Sequence, residues 1–161
     1  MVEIPARGGT YLLHLRLTDP CRLDIGKLGQ YRLLPGDYIY VGSALGPGGL
    51  QARLRRHIDG GTKRFWHIDH LRPYARVAGY VFVAHQHDKE LSPRFECKWS
   101  QALAQLPGAR AIVPGFGASD CQSGCKAHLL FFSETISLSI LVKKLNPVSG
   151  GNPIYFVDWM G

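Results

Sequence analysis

Cysteine is scarce and unevenly placed. The chain of 161 residues has four, Cys21, Cys97, Cys121 and Cys125, which excludes the dense disulfide framework of small secreted domains and points to a reducing compartment. Long apolar runs are missing as well: none approaches the roughly 20 residues a membrane-spanning helix needs. No charged-then-apolar leader opens the chain, so the expected location is the cytoplasm. No repeat, low-complexity tract or linker divides it, and residues 1–161 are expected to form one domain. Acidic residues are in short supply too: 12 Asp+Glu face 19 Lys+Arg, a net charge of +7. A field of that sign attracts polyanions, which makes nucleic acid the natural partner class and an anionic membrane surface the second. A basic surface that serves solubility alone is the plainer alternative. What is plentiful is apolar material, at 45% of residues, enough to bury a core without disulfides or metal.

The local patterns read as a mixed α and β domain with an antiparallel sheet. Gly9–Leu17 (GTYLLHLRL) is β-prone and closes on a Thr-Asp-Pro turn. Arg22–Ile25 and Gln30–Leu34 flank Gly26-Lys27-Leu28-Gly29 as a hairpin, and Asp37–Ser43 is a further strand with tyrosines at 38 and 40. Leu50–Ile58 is a helix ended by Gly60-Gly61, and Thr62 is placed to cap a second helix that stops before Pro73. Gly79–His85 is a buried strand; Ser92-Pro93 starts a helix running to about Leu106. His128–Phe132 is a strand, Thr135–Leu145 a helix and Ile154–Val157 a last short strand, whose apolar tail to Trp159 is able to join a sheet or a dimer contact.

Chemistry-bearing side chains concentrate between Pro35 and His70. On the helix after Gly49, Leu50, Leu54 and Ile58 make the apolar stripe, and Arg53 and His57 stack four residues apart beside it. An arginine at a stripe edge is able to grip phosphoryl oxygens in a fork, and a histidine one turn on can relay a proton. Arg55 and Arg56 fall away from the stripe, and Lys63 and Arg64 extend the same basic character. An amphipathic helix with a solvated basic face would show the same pattern. On the helix after Ser92, Glu96 sits at the edge of a stripe formed by Phe95, Trp99, Ala102 and Leu106. A carboxylate there suits one hard cation that keeps its waters, or simply the dipole of the first helical turn.

Gly9-Thr10-Tyr11 opens the first strand and Tyr40-Val41-Gly42 ends a later one, followed by Arg53, His57 and Glu96. In this order they resemble the GIY-YIG nuclease superfamily. The runs GDYIYVGSA, GGLQARLRRH, WHID and GFGASDC, with His128-Leu129, resemble its DUF123 branch from Gly9 to about Phe132. The resemblance implies a small three-stranded antiparallel sheet flanked by helices and a nuclease that hydrolyses phosphodiester bonds with one divalent metal. In DUF123, some archaeal members are fused to an endonuclease III-like glycosylase, which implies a repair setting. It gives Tyr11 or Tyr40 the activation of the attacking water, with the other orienting it. Arg53 would oppose charge on the phosphoryl oxygens, His57 assist proton transfer and Glu96 hold Mg²⁺ or Mn²⁺. DNA is the implied substrate ahead of RNA, with Arg55, Arg56, Lys63 and Arg64 along its backbone. The 28 residues between Tyr11 and Tyr40 exceed the compact spacing of the superfamily; the Arg22–Leu34 hairpin accounts for the excess as an excursion. The alternative from another class is a non-catalytic nucleic-acid-binding module of the same fold.

Two further groups draw attention. Cys97, Cys121, Cys125 and His128, with C-x3-C-x2-H as the local unit, offer a zinc-type donor set, although thiols buried for packing have the same composition. His67, Asp69 and His70 are able to line a cleft or ligate a metal; the neighbouring Trp66 and Ile68 argue instead for a structural role in the core.

Overall fold

A computed structural model describes residues 2–61, 63–86, 93–119 and 121–159, without the side chains of 93 and 94. Its centre is a five-stranded antiparallel sheet. The strands in chain order are β1 (Gly9–Leu17), β4 (Gly36–Ala44), β5 (Arg76–Ala84), β6 (Leu129–Phe132) and β7 (Tyr155–Asp158), arranged β6-β4-β1-β5-β7. Strands β2 (Cys21–Asp24) and β3 (Gln30–Leu33) form a separate two-stranded hairpin around a short 3-10 turn at Gly26–Leu28. The hairpin between the two tyrosine motifs is thus an excursion from the main sheet, and β1 and β4 pair in register across it, Gly9 with Ala44 through Leu17 with Gly36. Where the resemblance implies three strands, five are present. The trio β4-β1-β5 is extended at both edges, because β6 pairs with β4 and the apolar β7 pairs with β5.

The alternation of side chains along a strand sorts β1 onto two cores. Tyr11, Leu13, Leu15 and Leu17 face α1 (Gly49–Asp59), α2 (Ile68–Leu71) and the β2–β3 hairpin, packing with Leu50, Leu54, Ile68, Leu71, Leu23 and Leu33. Leu12, with Ile39, Val41, Val81 and Val83, faces α3 (Pro93–Ala104) and α4 (Leu138–Leu145) through Trp99, Leu103, Leu138, Leu141 and Leu145. Each fully buried aliphatic side chain contributes about 1.5–3 kcal/mol, so a sheet covered on both faces is held mainly by these two layers. Among the described residues, no helix is long and apolar enough to cross a membrane.

Two helices are shorter than their patterns suggest. The expected helix between Gly61 and Pro73 forms only at Ile68–Leu71, because the Asp69 carboxylate accepts the backbone N–H groups of Phe65 and Trp66 and holds the preceding segment in a turn. Thr62 and Ser92, the expected caps of α2 and α3, lie outside the described residues. Helix α4 starts at Leu138 rather than Thr135, since the Ser137 side chain accepts the Ile140 N–H as its N-cap. Gly60, in the left-handed region at φ 74°, ends α1 by donating its N–H to Arg56.

On the α3/α4 side of the sheet, Asp37 lies buried opposite Arg16. Arg16 donates to it in a fork at 2.9 and 3.2 Å, His14 Nε2 stands 2.9 Å away, and the Ile136 N–H donates at 2.9 Å. Burial alone would raise the Asp37 pKa, but the bonds from His14, Arg16 and Ile136 outweigh it and hold the carboxyl far below the ordinary range. The folded pKa is depressed, so the stabilisation is complete above the unfolded carboxyl pKa near 4 and is lost as pH falls below it. Asp37→Ala should cost about 3–5 kcal/mol in urea unfolding near neutral pH, because it strands partners already removed from water. The gap between variant and wild type should narrow at pH 3; a constant gap would show that the carboxylate charge is not the source.

Candidate functional site

Strand β6 covers the outer edge of β4 only along Asp37–Tyr40. Beyond it, Gly42, Ser43 and Ala44 carry no strand on that side, and helices from opposite faces of the sheet reach this uncovered end. From α1, Arg53 Nη1 donates to the Ser43 carbonyl oxygen at 2.9 Å. From α3, Glu96 Oε2 accepts the Ser43 hydroxyl at 2.8 Å. The arginine and the glutamate predicted to share a site therefore meet on one residue. Trp66 backs Arg53, with the guanidinium carbon 4.0 Å from the ring centroid, a cation–π contact that holds the long side chain flat.

Behind them stand the two tyrosines and the histidine. The Tyr11 hydroxyl and His57 Nε2 are 2.9 Å apart, and the Tyr40 ring centroid lies 6.3 Å from those of both Tyr11 and His57. Gly42 makes this packing possible. It pairs directly with Tyr11 across the β1–β4 ladder, and a Cβ there would fall 2.4 Å from the Tyr11 hydroxyl. The glycine of Tyr40-Val41-Gly42 is thus required by the tyrosine of Gly9-Thr10-Tyr11, so the two motifs form a single packing unit.

Burial governs the protonation of this group. Desolvation raises the Tyr11 pKa well above 10, more than Arg53 lowers it, and raises that of Tyr40 as well. Burial also pushes His57 down to about 3, with the positive charges of Arg53, Arg56 and Arg72 adding to the effect and Asp69 opposing it. Both phenols are therefore protonated at neutral pH, and His57 is a neutral imidazole that shares a hydrogen bond with Tyr11. Tyr11 is fully enclosed, while Tyr40 retains 6% of its surface exposed, so Tyr40 is the phenol nearer to water.

The predicted basic surface divides. Arg55, Lys63 and Arg64 are exposed. Arg56, expected toward solvent, is half-buried: it grips Asp69 in a fork at 3.0 Å for each bond, donates to the Lys63 carbonyl, and lies over Phe65 and Trp66. Among the described residues, the His67-Asp69-His70 group makes no metal cluster. Asp69 organises Arg56 and the turn, while His67 Nδ1 accepts the Gly117 N–H at 2.8 Å and so ties α2 to the loop before β6.

The sulfur and imidazole ligands do converge. Sγ of Cys97, Cys121 and Cys125 and a ring nitrogen of His128 all lie within 4.8 Å of one another, a group able to hold a metal ion. The donor set suits zinc better than magnesium, which prefers oxygen. His128 Nδ1 also meets Glu96 Oε1 at 2.7 Å, which makes Glu96 common to this cluster and to the Ser43 meeting point. Sequence reasoning gave Ser43 no role, placed Trp66 in the core rather than against Arg53, and assigned His128 and Glu96 to different metals without pairing them, although all but Glu96 lie within or beside the recognised runs. Ser43 follows directly on the Tyr40-Val41-Gly42 glycine, but nothing in a strand pattern announces that its two faces will be met by two helices.

The fold and site define an α+β domain with a five-stranded antiparallel sheet, an arginine and a glutamate that meet at Ser43 at its uncovered end, and a candidate metal cluster beside them. A family model described as a domain of unknown function, DUF123, matches residues 10–148, and the chain belongs to that family. Comparison with curated proteins and with solved structures finds no match.

The His57 environment has a direct signature. Its imidazole resonances should keep their neutral positions from pH 8 to below 5 in nuclear magnetic resonance titration, where an ordinary histidine would become protonated near 6.5. Because the folded pKa is depressed, this residue makes stability fall as pH drops below about 6.5, by up to about 1.4 kcal/mol per pH unit. A titration midpoint near 6.5 would show that the Tyr11–His57 pocket is wet.

Proposed function

We propose that this protein is a GIY-YIG-type nuclease that hydrolyses phosphodiester bonds in DNA with one divalent cation, in keeping with a repair role. The observation that carries the reading is the meeting of Arg53 and Glu96 at Ser43, with Tyr40, Tyr11 and His57 packed beside it. Glu96 is a fit for Mg²⁺ or Mn²⁺. Its oxygens accept one hydrogen bond each and so keep lone pairs free. Its side chain is 15% exposed, and Mg²⁺ characteristically takes one or two carboxylates and retains waters. When bound, the cation would oppose the charge that develops on the phosphoryl oxygens.

The chain's own residues supply the rest. Arg53, held flat on Trp66, presents a fixed positive charge to the phosphoryl group and has no reorganisation to undergo as charge grows. Tyr40 orients the attacking water. Tyr11, fully enclosed and hydrogen-bonded to neutral His57, positions the Tyr40 ring and the Arg53 side of the site; burial makes its phenol far too weak an acid to protonate that imidazole. Arg55, Lys63 and Arg64 contact the backbone of DNA, with RNA the second choice, by a sequence-independent attraction.

A non-catalytic nucleic-acid-binding module is the competing reading. It is favoured by the enclosure of Tyr11 and His57, which leaves both far from solvent. A panel of linear, nicked, branched and damaged DNA substrates with Mg²⁺ or Mn²⁺ separates the two. The nuclease reading expects cleavage that falls at least about 100-fold in Arg53→Ala, the scale of losing one transition-state donor, and comparably in Glu96→Gln. Unchanged activity in both variants would overturn the assigned site. Binding that weakens steeply with salt, with no cleavage of any substrate, would establish the binding module.

A further inference from the structure

The segment between α3 and β6, residues 105–128, is long for a connection inside a small domain. Its described residues hold turns and one isolated bridge, Arg110 to Phe131. A few main-chain bonds anchor its end, among them Gly115 N–H to Lys126 O and His128 N–H to Phe116 O, both 2.7 Å. Val113, Phe116 and Ala127 seat it in the core, and the Gly117 N–H donates to His67. Cys121 and Cys125 lie between these anchors, where the segment has little regular structure.

We propose that Cys97, Cys121, Cys125 and His128 Nε2 bind one zinc ion that staples this segment to α3, with Glu96 as the outer carboxylate that sets the His128 tautomer. The distances are those of a site that closes with small adjustments. Zinc bonds of about 2.3 Å to sulfur and about 2.0 Å to nitrogen in a tetrahedron put sulfurs about 3.8 Å apart and sulfur about 3.5 Å from nitrogen. Cys97 Sγ lies 3.3 Å from Cys121 Sγ and 3.7 Å from His128 Nε2, and no pair of donor atoms exceeds 4.8 Å.

A second, separate observation points the same way. His128 turns Nδ1 to Glu96 at 2.7 Å and leaves Nε2 toward the thiols. This is the carboxylate–histidine–metal order by which zinc proteins fix ring orientation and strengthen the imidazole as a donor. Gln101 Nε2 reaches Cys125 Sγ at 3.7 Å and supplies an outer donor to a thiolate. Binding converts three thiols to thiolates and releases their protons to solvent, leaving His128 neutral with its remaining N–H on Glu96. The fourth cysteine, Cys21 in β2, takes no part. The four zinc ligands are not residues assigned to phosphodiester chemistry; Glu96 alone is common to both readings, and zinc content in Cys121→Ser and Cys125→Ser tests the site apart from the nuclease reading.

The test is elemental analysis of the full chain purified under reducing conditions from zinc-supplemented cells. About one zinc per chain is expected, retained in Cys21→Ser and lost in Cys121→Ser and in Cys125→Ser. Should these two fail to fold, titration of the wild-type protein with a mercurial decides: zinc must leave in step with three of the four thiols. Exchange into Co²⁺ should give the intense visible and thiolate charge-transfer bands of tetrahedral thiolate coordination. Glu96→Gln should keep zinc but bind it about 10–100-fold more weakly in competition with a chelator, the usual cost of losing an outer carboxylate. Wild-type protein without zinc, or zinc unaffected by modification of the thiols, would overturn the proposal. Equal zinc affinity in Glu96→Gln would remove Glu96 from it.

Discussion

Ser43 is bonded from both faces of the sheet: its carbonyl oxygen accepts from Arg53 on α1 and its hydroxyl donates to Glu96 on α3. Helices that cover opposite faces of a sheet have no reason to share contacts, since about 10 Å of strand and side chain separates each layer from the sheet. They meet here because β6 stops pairing at Tyr40 and leaves the end of β4 open at its edge. Shorten that opening by two more paired residues and the guanidinium and the carboxylate would be divided by a strand. The meeting of Arg53 and Glu96 at Ser43 lies just past this point, and His128, which bonds Glu96, is the residue immediately before β6.

The same end of the sheet is organised by charge and burial acting in opposite senses. Asp69 neutralises Arg56 and leaves Arg53 as the guanidinium beside Ser43. Arg53, half-buried, sets its guanidinium near two enclosed phenols and an enclosed imidazole, all of which burial drives to their neutral forms. The result is a fixed positive group and a carboxylate at the mouth, backed by a neutral, proton-bearing interior. Such a layout keeps the charged groups at the end of the sheet and leaves uncharged groups in the interior, where burial penalises charge.

Much of the fold is legible in the chain. Partial alternation marks β1 and β4, β-branched and aromatic content marks β5, glycines mark turns, and the stripe of Leu50 and Leu54 marks α1, since these signals arise from backbone sterics and local burial. The hairpin between the tyrosine motifs is legible for the same reason. Less visible is α2, where apolar residues promise a longer helix and the Asp69 side chain diverts the backbone N–H groups that would have built it. The two edge strands are recognisable as strands, but their places at opposite edges rest on pairing with β4 and β5, which no local pattern encodes.

Sequence by itself determined the identities and order of Tyr11, Tyr40, Arg53, His57 and Glu96 and the basic excess, because residue type and helical spacing are local properties. The tertiary structure decided that Gly42 exists to admit the Tyr11 ring, that Arg56 belongs to Asp69, and that Glu96 is shared between Ser43 and His128. It also gathered Cys97 to Cys121, Cys125 and His128 across a gap of more than twenty residues. Each of these is a contact between elements distant along the chain, set by register, by where a strand ends and by which atoms burial strips of water.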